Sequence, residues 1–125
     1  MATEILNKLD LLSDASSAYF LENNLEVEKY FGSPEVEVLP IEIIKYNQPE
    51  LFDKFAWRLV SPNQNSITRL VASVPNQGYY IHVRQGAKIN QPIKTCLMTS
   101  DDDVSQVVHN IIVLEPSANC EIITG

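Results

Sequence analysis

Basic charge is scarce in this sequence. Nine Lys and Arg stand against sixteen Asp and Glu, for a net charge of -7 over 125 residues. Nucleic-acid binding requires clustered Lys and Arg to neutralise phosphates. Here the nine are scattered, which argues against that class. Cysteine is also sparse. Cys96 and Cys120 form no short-spacing motif, so they read as free thiols in a reducing compartment, with the cytoplasm as the default. No apolar run approaches the roughly 20 residues of a membrane span. The opening MATEILNKLD is acidic and lacks the basic and apolar blocks of a secretory signal. A Gly-rich phosphate loop, a Gly-x-Ser-x-Gly elbow, a Cys-x-x-Cys pair and a His-Glu-x-x-His helix are all missing. Their absence argues against nucleotide hydrolysis and dinucleotide binding.

What is present is ordinary globular material, 45% apolar and 20% charged, long enough to bury a core without staples. The acidity is concentrated. Eleven acids face three lysines in residues 1–53, while the remainder is close to balance. The acidic third serves solubility, or docks a basic partner.

Texture changes near Ser61-Pro62. Residues 1–61 read as a helical region with one short strand, and residues 62–125 as β-rich. Ile5, Leu9 and Leu12 fall on one helical face, and Tyr19, Phe20 and Leu25 continue an apolar pattern up to the Gly32–Pro34 stop. Ser16-Ser17 and Asn23-Asn24 divide this stretch into two or three short helices. Glu35-Val36-Glu37-Val38 alternates as a half-exposed strand ended by Pro40. Pro49 suits the first helical position, and Phe52, Phe55, Ala56 and Leu59 form one helical stripe. Beyond residue 62, strands are expected over 67–74, 79–83, 93–99, 104–114 and from Cys120 to 124. Pro75–Gly78, Arg84–Lys88, Ser100–Asp103 and Pro116 supply the turns. Such spacing suits sandwiches, barrels and β-helices alike. The run Ile111-Ile112-Val113-Leu114 is apolar on both faces, so it predicts cover on both sides. The cover would come from the amino-terminal helices, a second chain or further residues.

Candidate chemistry is thin. Asp101-Asp102-Asp103 lacks the alternating oxygens and sharp-turn glycine of a calcium loop and reads as a solvated turn. His82 and His109 have no local ligand partner and read as strand histidines. Cys96, His109 and Cys120 are the one soft-ligand set, able to hold iron, zinc or sulfane sulfur if strands stack in register. Buried structural cysteine is the blander alternative. Trp57, Phe52 and Phe55 read as packing between helix and sheet.

Two segments, GYYIHVRQGAKINQPIKTCLM and SQVVHNIIVLEPSANCEIITG, together with the lead-in FAWRLVSPNQNSITRLVASVPNQGYY, resemble the SufB/SufD family of iron-sulfur cluster assembly proteins. The resemblance covers roughly residues 50–125 and rests on the order and spacing of strands and turns. It is similar in kind to the shorter SufB-like proteins of archaea and anaerobic bacteria. It implies an α+β fold whose β-rich half forms the first turns of a right-handed parallel β-helix. It further implies a cytosolic scaffold without turnover of its own, working with a SufC-like ATPase and a SufB/SufD-type partner. Family members continue for many more β-helix turns. The implied cluster-binding, sulfur-accepting and ATPase-docking residues would lie beyond Gly125, and no metal or catalytic residue is carried over. Cys96, His109 and Cys120 stay weak cofactor-binding candidates, with no cluster expected to bind this chain tightly.

Two other readings stay open. One is a stand-alone β-sandwich or barrel binding a small ligand, which requires antiparallel pairing through the 75–78 and 101–103 turns. The other is a thiol or metal enzyme using His109 and a cysteine, which requires an activated thiolate. The apolar terminal strand also predicts a homo-oligomer formed through residues 104–124.

Overall fold

The computed structural model describes residues 17–22, 25–31, 34–90, 92–99 and 106–124. The elements in chain order are β1 (Ser17–Glu22), β2 (Leu25–Phe31), β3 (Val36–Pro40), α1 (Ile41–Asn47), α2 (Pro49–Phe55), α3 (Ser66–Ser73), β4 (Tyr79–Val83), β5 (Ile93–Met98), β6 (Ile111–Leu114) and β7 (Ile122–Thr124). The fold is thus mixed α+β, with three helices and small sheets among the described residues. The expected helical face of Ile5, Leu9 and Leu12 and the Asp101–Asp103 turn lie outside them.

Two sheets form, in the orders β2-β1-β5-β7 and β3-β4-β6. Ser17–Glu22 and Leu25–Phe31, expected in short helices, are instead the antiparallel pair β1–β2, with an irregularity at Phe20/Leu21. The stretch Leu25-Glu26-Val27-Glu28 alternates apolar and charged side chains, a period of two that suits a strand.

The helices each show why they start and stop. Ile41 and Ile44 are fully buried one turn apart, and α1 carries Glu42 in its first turn and Lys45 in its last, both matched to the helix dipole. Pro49 opens α2 at the position where a missing N–H costs nothing. The helix ends at Phe55, short of the expected Leu59, because Trp57 takes a left-handed φ of 59°. Arg58 then donates to the freed carbonyls of Lys54 and Asp53 at 3.0 and 2.8 Å. Leu59 leaves the stripe and stands 100% exposed.

Residues 67–74, expected as a strand, form α3. The Asn65 side chain accepts from the Thr68 N–H at 2.9 Å, and the Thr68 hydroxyl accepts from the Asn65 N–H at 3.0 Å. This capping box nucleates a helix despite the β-branched residues. Ile67, Leu70 and Val71 are spaced i, i+3, i+4, which is helical periodicity.

With 66–73 helical, Pro75–Gly78 closes no hairpin. β5 and β6 also lie in different sheets, so neither expected turn joins an antiparallel pair. Pairing is parallel instead. Gln77 bridges Val108, Tyr80 through Val83 pair with Ile111 through Leu114, and Lys88 bridges Asn119. Each of these partners lies 31 residues on. β5 pairs with β7 from Ile93↔Ile122 to Thr95↔Thr124, 29 residues on. The chain therefore runs through two stacked passes, 77–95 below and 108–124 above.

The corners repeat as well. Ala87 N–H donates to the Arg84 carbonyl, and Ala118 N–H to that of Glu115. Gly86 (φ 75°) and Ser117 (φ 65°) hold the same left-handed place in each turn. The passes are tied by Gly86 N–H to Pro116 O, Asn119 N–H to Ala87 O and Ile89 N–H to Asn119 O, all within 3.0 Å. At Gly78 the passes touch: an added Cβ would fall 2.3 Å from the His109 carbonyl oxygen.

The core lies between the sheets, built from Val36, Val38, Tyr79, Ile81, Val83, Ala87 and Ile93. The opposite face of the β3-β4-β6 sheet is covered by α1 and α2, which pack Ile41, Ile44 and Ala56 on Tyr80 and Ile111. The expected two-sided cover of β6 is incomplete. Directly opposed residues in a pair share a face, so Ile112 and Leu114 belong with Ile81 and Val83 on the core side. Yet they are 46% and 49% exposed, where Ile81 and Val83 are 0%.

Candidate functional site

The soft-ligand candidates sit in three different settings. Cys96 is buried in β5, on the strand face opposite Ile93, Thr95 and Leu97. Cys120 is half-buried and packs against the inter-sheet core with Ala118 and Ile122. It stands 31 residues after Ile89, so a thiol takes the place an aliphatic side chain fills in the lower pass. Burial pushes both thiols up. That is the opposite of what an activated thiolate needs.

His109 lies beside the helix-covered face. Its imidazole is 4.7 Å from the Trp57 ring and 6.0 Å edge-on from Phe52. Burial lowers its pKa, Lys45 lowers it further, and Glu42 opposes. Glu42 in turn accepts from the Asn76 N–H, and its second carboxylate oxygen is buried without a partner. Trp57, Phe52 and Phe55 pack on the helix-covered face, as expected. They also make Trp57 and Phe52 the walls around His109, a role the sequence did not signal.

Among the described residues no three His, Cys, Asp or Glu side chains come together to hold a metal ion. Cys96, His109 and Cys120 do not converge, so this donor set does not fit a cluster site on the described part of the chain.

A polar cluster that sequence reasoning missed lies around His82. Its Nδ1 is 2.6 Å from the Tyr80 hydroxyl, and its Nε2 is 3.8 Å from Glu115. Burial, with help from Glu37 and Glu115, pushes the Tyr80 phenol up to about 12. Tyr80 therefore stays protonated, and its hydroxyl shares a hydrogen bond with His82 Nδ1. Glu37 stands directly across the β3–β4 pair from His82. The signal was present as Tyr-x-His on one strand face, opposite a Glu. Phe55 closes the group edge-on at 6.1 Å from the imidazole.

A third feature is apolar. A groove of about 660 Å³ runs along β6, between that strand and Trp57, Leu59, Ile67 and Val71. Residues Ile111 through Leu114 all line it. Residues of both strand faces take part, so the groove lies along the edge of β6 that has no paired strand among the described residues.

These features define a class: an α+β chain in which β6 and β7 stack in parallel on β4 and β5, carrying a polar cluster on one flank and an apolar strand edge without a paired neighbour among the described residues. No family model matches the chain. Three curated relatives carry the name iron-sulfur cluster assembly SufBD family protein, in agreement with the resemblance read in the sequence. One, from Archaeoglobus fulgidus, is 27% identical over 118 residues, covering 94% of this chain and 31% of its own length. Another, from Methanothermobacter thermautotrophicus, is 27% identical over 98 residues, covering 75% of this chain and 24% of its own length. The chain thus spans less than a third of the relatives it matches. Among the described residues no helix is long and apolar enough to cross a membrane.

Proposed function

We propose that this chain is a scaffold component of iron-sulfur cluster assembly, and that its two stacked passes are the first coils of a right-handed parallel β-helix. The observation that carries the reading is the register. Partners recur 31 residues on through the strand, corner and bridge positions, and both corners use the same left-handed residue. That is the stacking by which solenoid coils share one continuous core. The names of the relatives supply the process.

In this reading the chain has no turnover of its own and works in the cytosol with a SufC-like ATPase and a SufB/SufD-type partner. It is an amino-terminal portion of the scaffold, and the cluster, which is cargo, is held by residues elsewhere in the assembly. Pull-down of the intact reading frame with its neighbouring ATPase tests the partnership. Co-purification is expected, and failure to retain any SufC-like ATPase would sink the reading. Anaerobic incubation with iron and sulfide tests the site. Stoichiometric, thiol-dependent chromophore retained by this chain would overturn the placement of the cluster elsewhere.

A further inference from the structure

Packing among the described residues does not explain α3. A helix of eight residues is marginal in water and depends on tertiary packing. Yet no residue of α3 is buried, and it makes no substantial contact with another described element. Ile67, Leu70 and Val71 form its apolar side, and Ile67 is 71% exposed. Leu59 and Val60, in the loop before it, are exposed as well.

The helix is nevertheless held in place at both ends. The Asn65–Thr68 capping box closes its first turn. Near its last turn the buried Asn76 side chain donates to the Val71 carbonyl at 3.0 Å, and the Asn76 N–H donates to Glu42 of α1. Its apolar side lines the groove along β6. The outer wall of that groove runs from Phe55 and Trp57 through Leu59 and Val60 to Ile67 and Val71. Phe55 and Trp57 also belong to the cluster that covers Tyr80 and Ile111. Loop and helix therefore carry the cover of the β3-β4-β6 sheet onwards past β6.

We infer that α3 and the 57–60 loop are the outer cover of the next coil of this same chain, a strand about 31 residues after β6 that pairs on it in parallel. The inference rests on the coil stacking proposed above and adds to it a place for α3. β6 itself follows its partner β4 by 31 residues. The chain spans 31% and 24% of the length of two relatives, which leaves length for further coils. A strand in this position meets Ile112 and Leu114 on its core side, and Leu59, Ile67 and Val71 on its outer side. Both of its faces are therefore apolar, as those of β6 are. The wall is then an intramolecular contact, closed to a second copy and to other proteins.

Thiol accessibility in the intact reading frame tests the cover. Ile67→Cys should react rapidly with iodoacetamide in the 125-residue chain and lose that reactivity in the intact protein. Ala72→Cys, exposed on the opposite side of the helix, should react in both. The loss should be the same at every protein concentration and need no added protein. A loss seen only at high concentration, or only with another protein present, would give the wall a different occupant and overturn the inference. Hydrogen exchange at Ile111–Leu114 separates it from the coil stacking. If those amides gain protection in the intact protein while Ile67→Cys still reacts, the next coil is in place and α3 is not its cover. If neither changes, the coil stacking falls with it. Charged side chains on the outward face of the next strand would also overturn the inference.

Discussion

The lower pass, residues 77–95, and the upper pass, residues 108–124, share one backbone path but not one environment. In the lower pass Ile81, Val83, Ile93 and Thr95 are completely sequestered. Their partners in the upper pass are Ile112, Leu114, Ile122 and Thr124, and each is at least partly exposed. Even the polar ladder shows the difference. The Thr95 and Thr124 hydroxyls share a hydrogen bond of 2.7 Å, and Thr124 also meets the Tyr79 hydroxyl at 2.9 Å. Thr95 is buried by what lies above it, and Thr124 is not. Register fixes which side chains face inwards, and only a further layer decides whether they are dry.

The largest expected effect follows from that contrast. Ile81→Ala removes a fully buried side chain between two neighbouring strands and should cost about 3–4 kcal/mol. Ile112→Ala, at the matching place above, should cost about 1 kcal/mol in the monomer, since half of its surface is already in water. Urea unfolding of both variants measures the gap. Equal losses would mean that the upper pass is as well covered as the lower.

Next comes the point of closest approach between the passes. Gly78→Ala combines a φ of 127° with a Cβ aimed at the His109 carbonyl oxygen. Neither atom is at the end of a flexible side chain, so the passes must part, at about 2–3 kcal/mol. Gly86→Ala, with φ 75° and nothing within 4 Å, should cost only about 1 kcal/mol. The corresponding corner above offers the reverse. Ser117 pays for a left-handed φ that glycine adopts freely. Ser117→Gly should therefore stabilise, by about 0.5–1 kcal/mol, and thermal unfolding would show the melting temperature rising. A fall would mean that Ser117 makes a compensating contact.

Much of the upper half was legible because period-two patterning and turn residues announce strands wherever one face is buried. β3, β4, β5 and the Pro49 helix start come directly from that reading. α3 was misread because Ile67, Thr68 and Val71 suggest a strand by type, whereas Asn65 and Thr68 cap a helix by position. The apolar residues of β1 and β2 extend the Ile5–Leu12 pattern and so suggest helix, whereas pairing with each other and with the distant β5 makes them strands. The stacking register had only a faint trace. Ala87 and Ala118 match, but Gly86 is replaced by Ser117 and Ile89 by Cys120, so 31-residue self-similarity escapes notice. That substitution also explains why Cys120 drew attention as chemistry. Its setting is that of an aliphatic corner residue.

The smallest expected effect separates the passes by pH. His109 is held below its ordinary pKa chiefly by burial, with Lys45 adding to it. The unfolded chain therefore binds a proton here more readily than the folded one. As pH falls through the ordinary histidine value, about 6.5, the unfolded state gains protons first and stability declines. The decline ends below the folded pKa, where both states are protonated. His109→Gln should remove this contribution, giving a flatter stability curve between neutral and mildly acidic pH. Urea midpoints across that range measure it. His82, on the lower pass beside Glu37 and Glu115, provides the comparison variant. His82→Gln should leave the His109 slope in place. If it is the His82 variant that flattens the curve, the acid sensitivity belongs to the polar cluster of the lower pass and not to the contact between the passes.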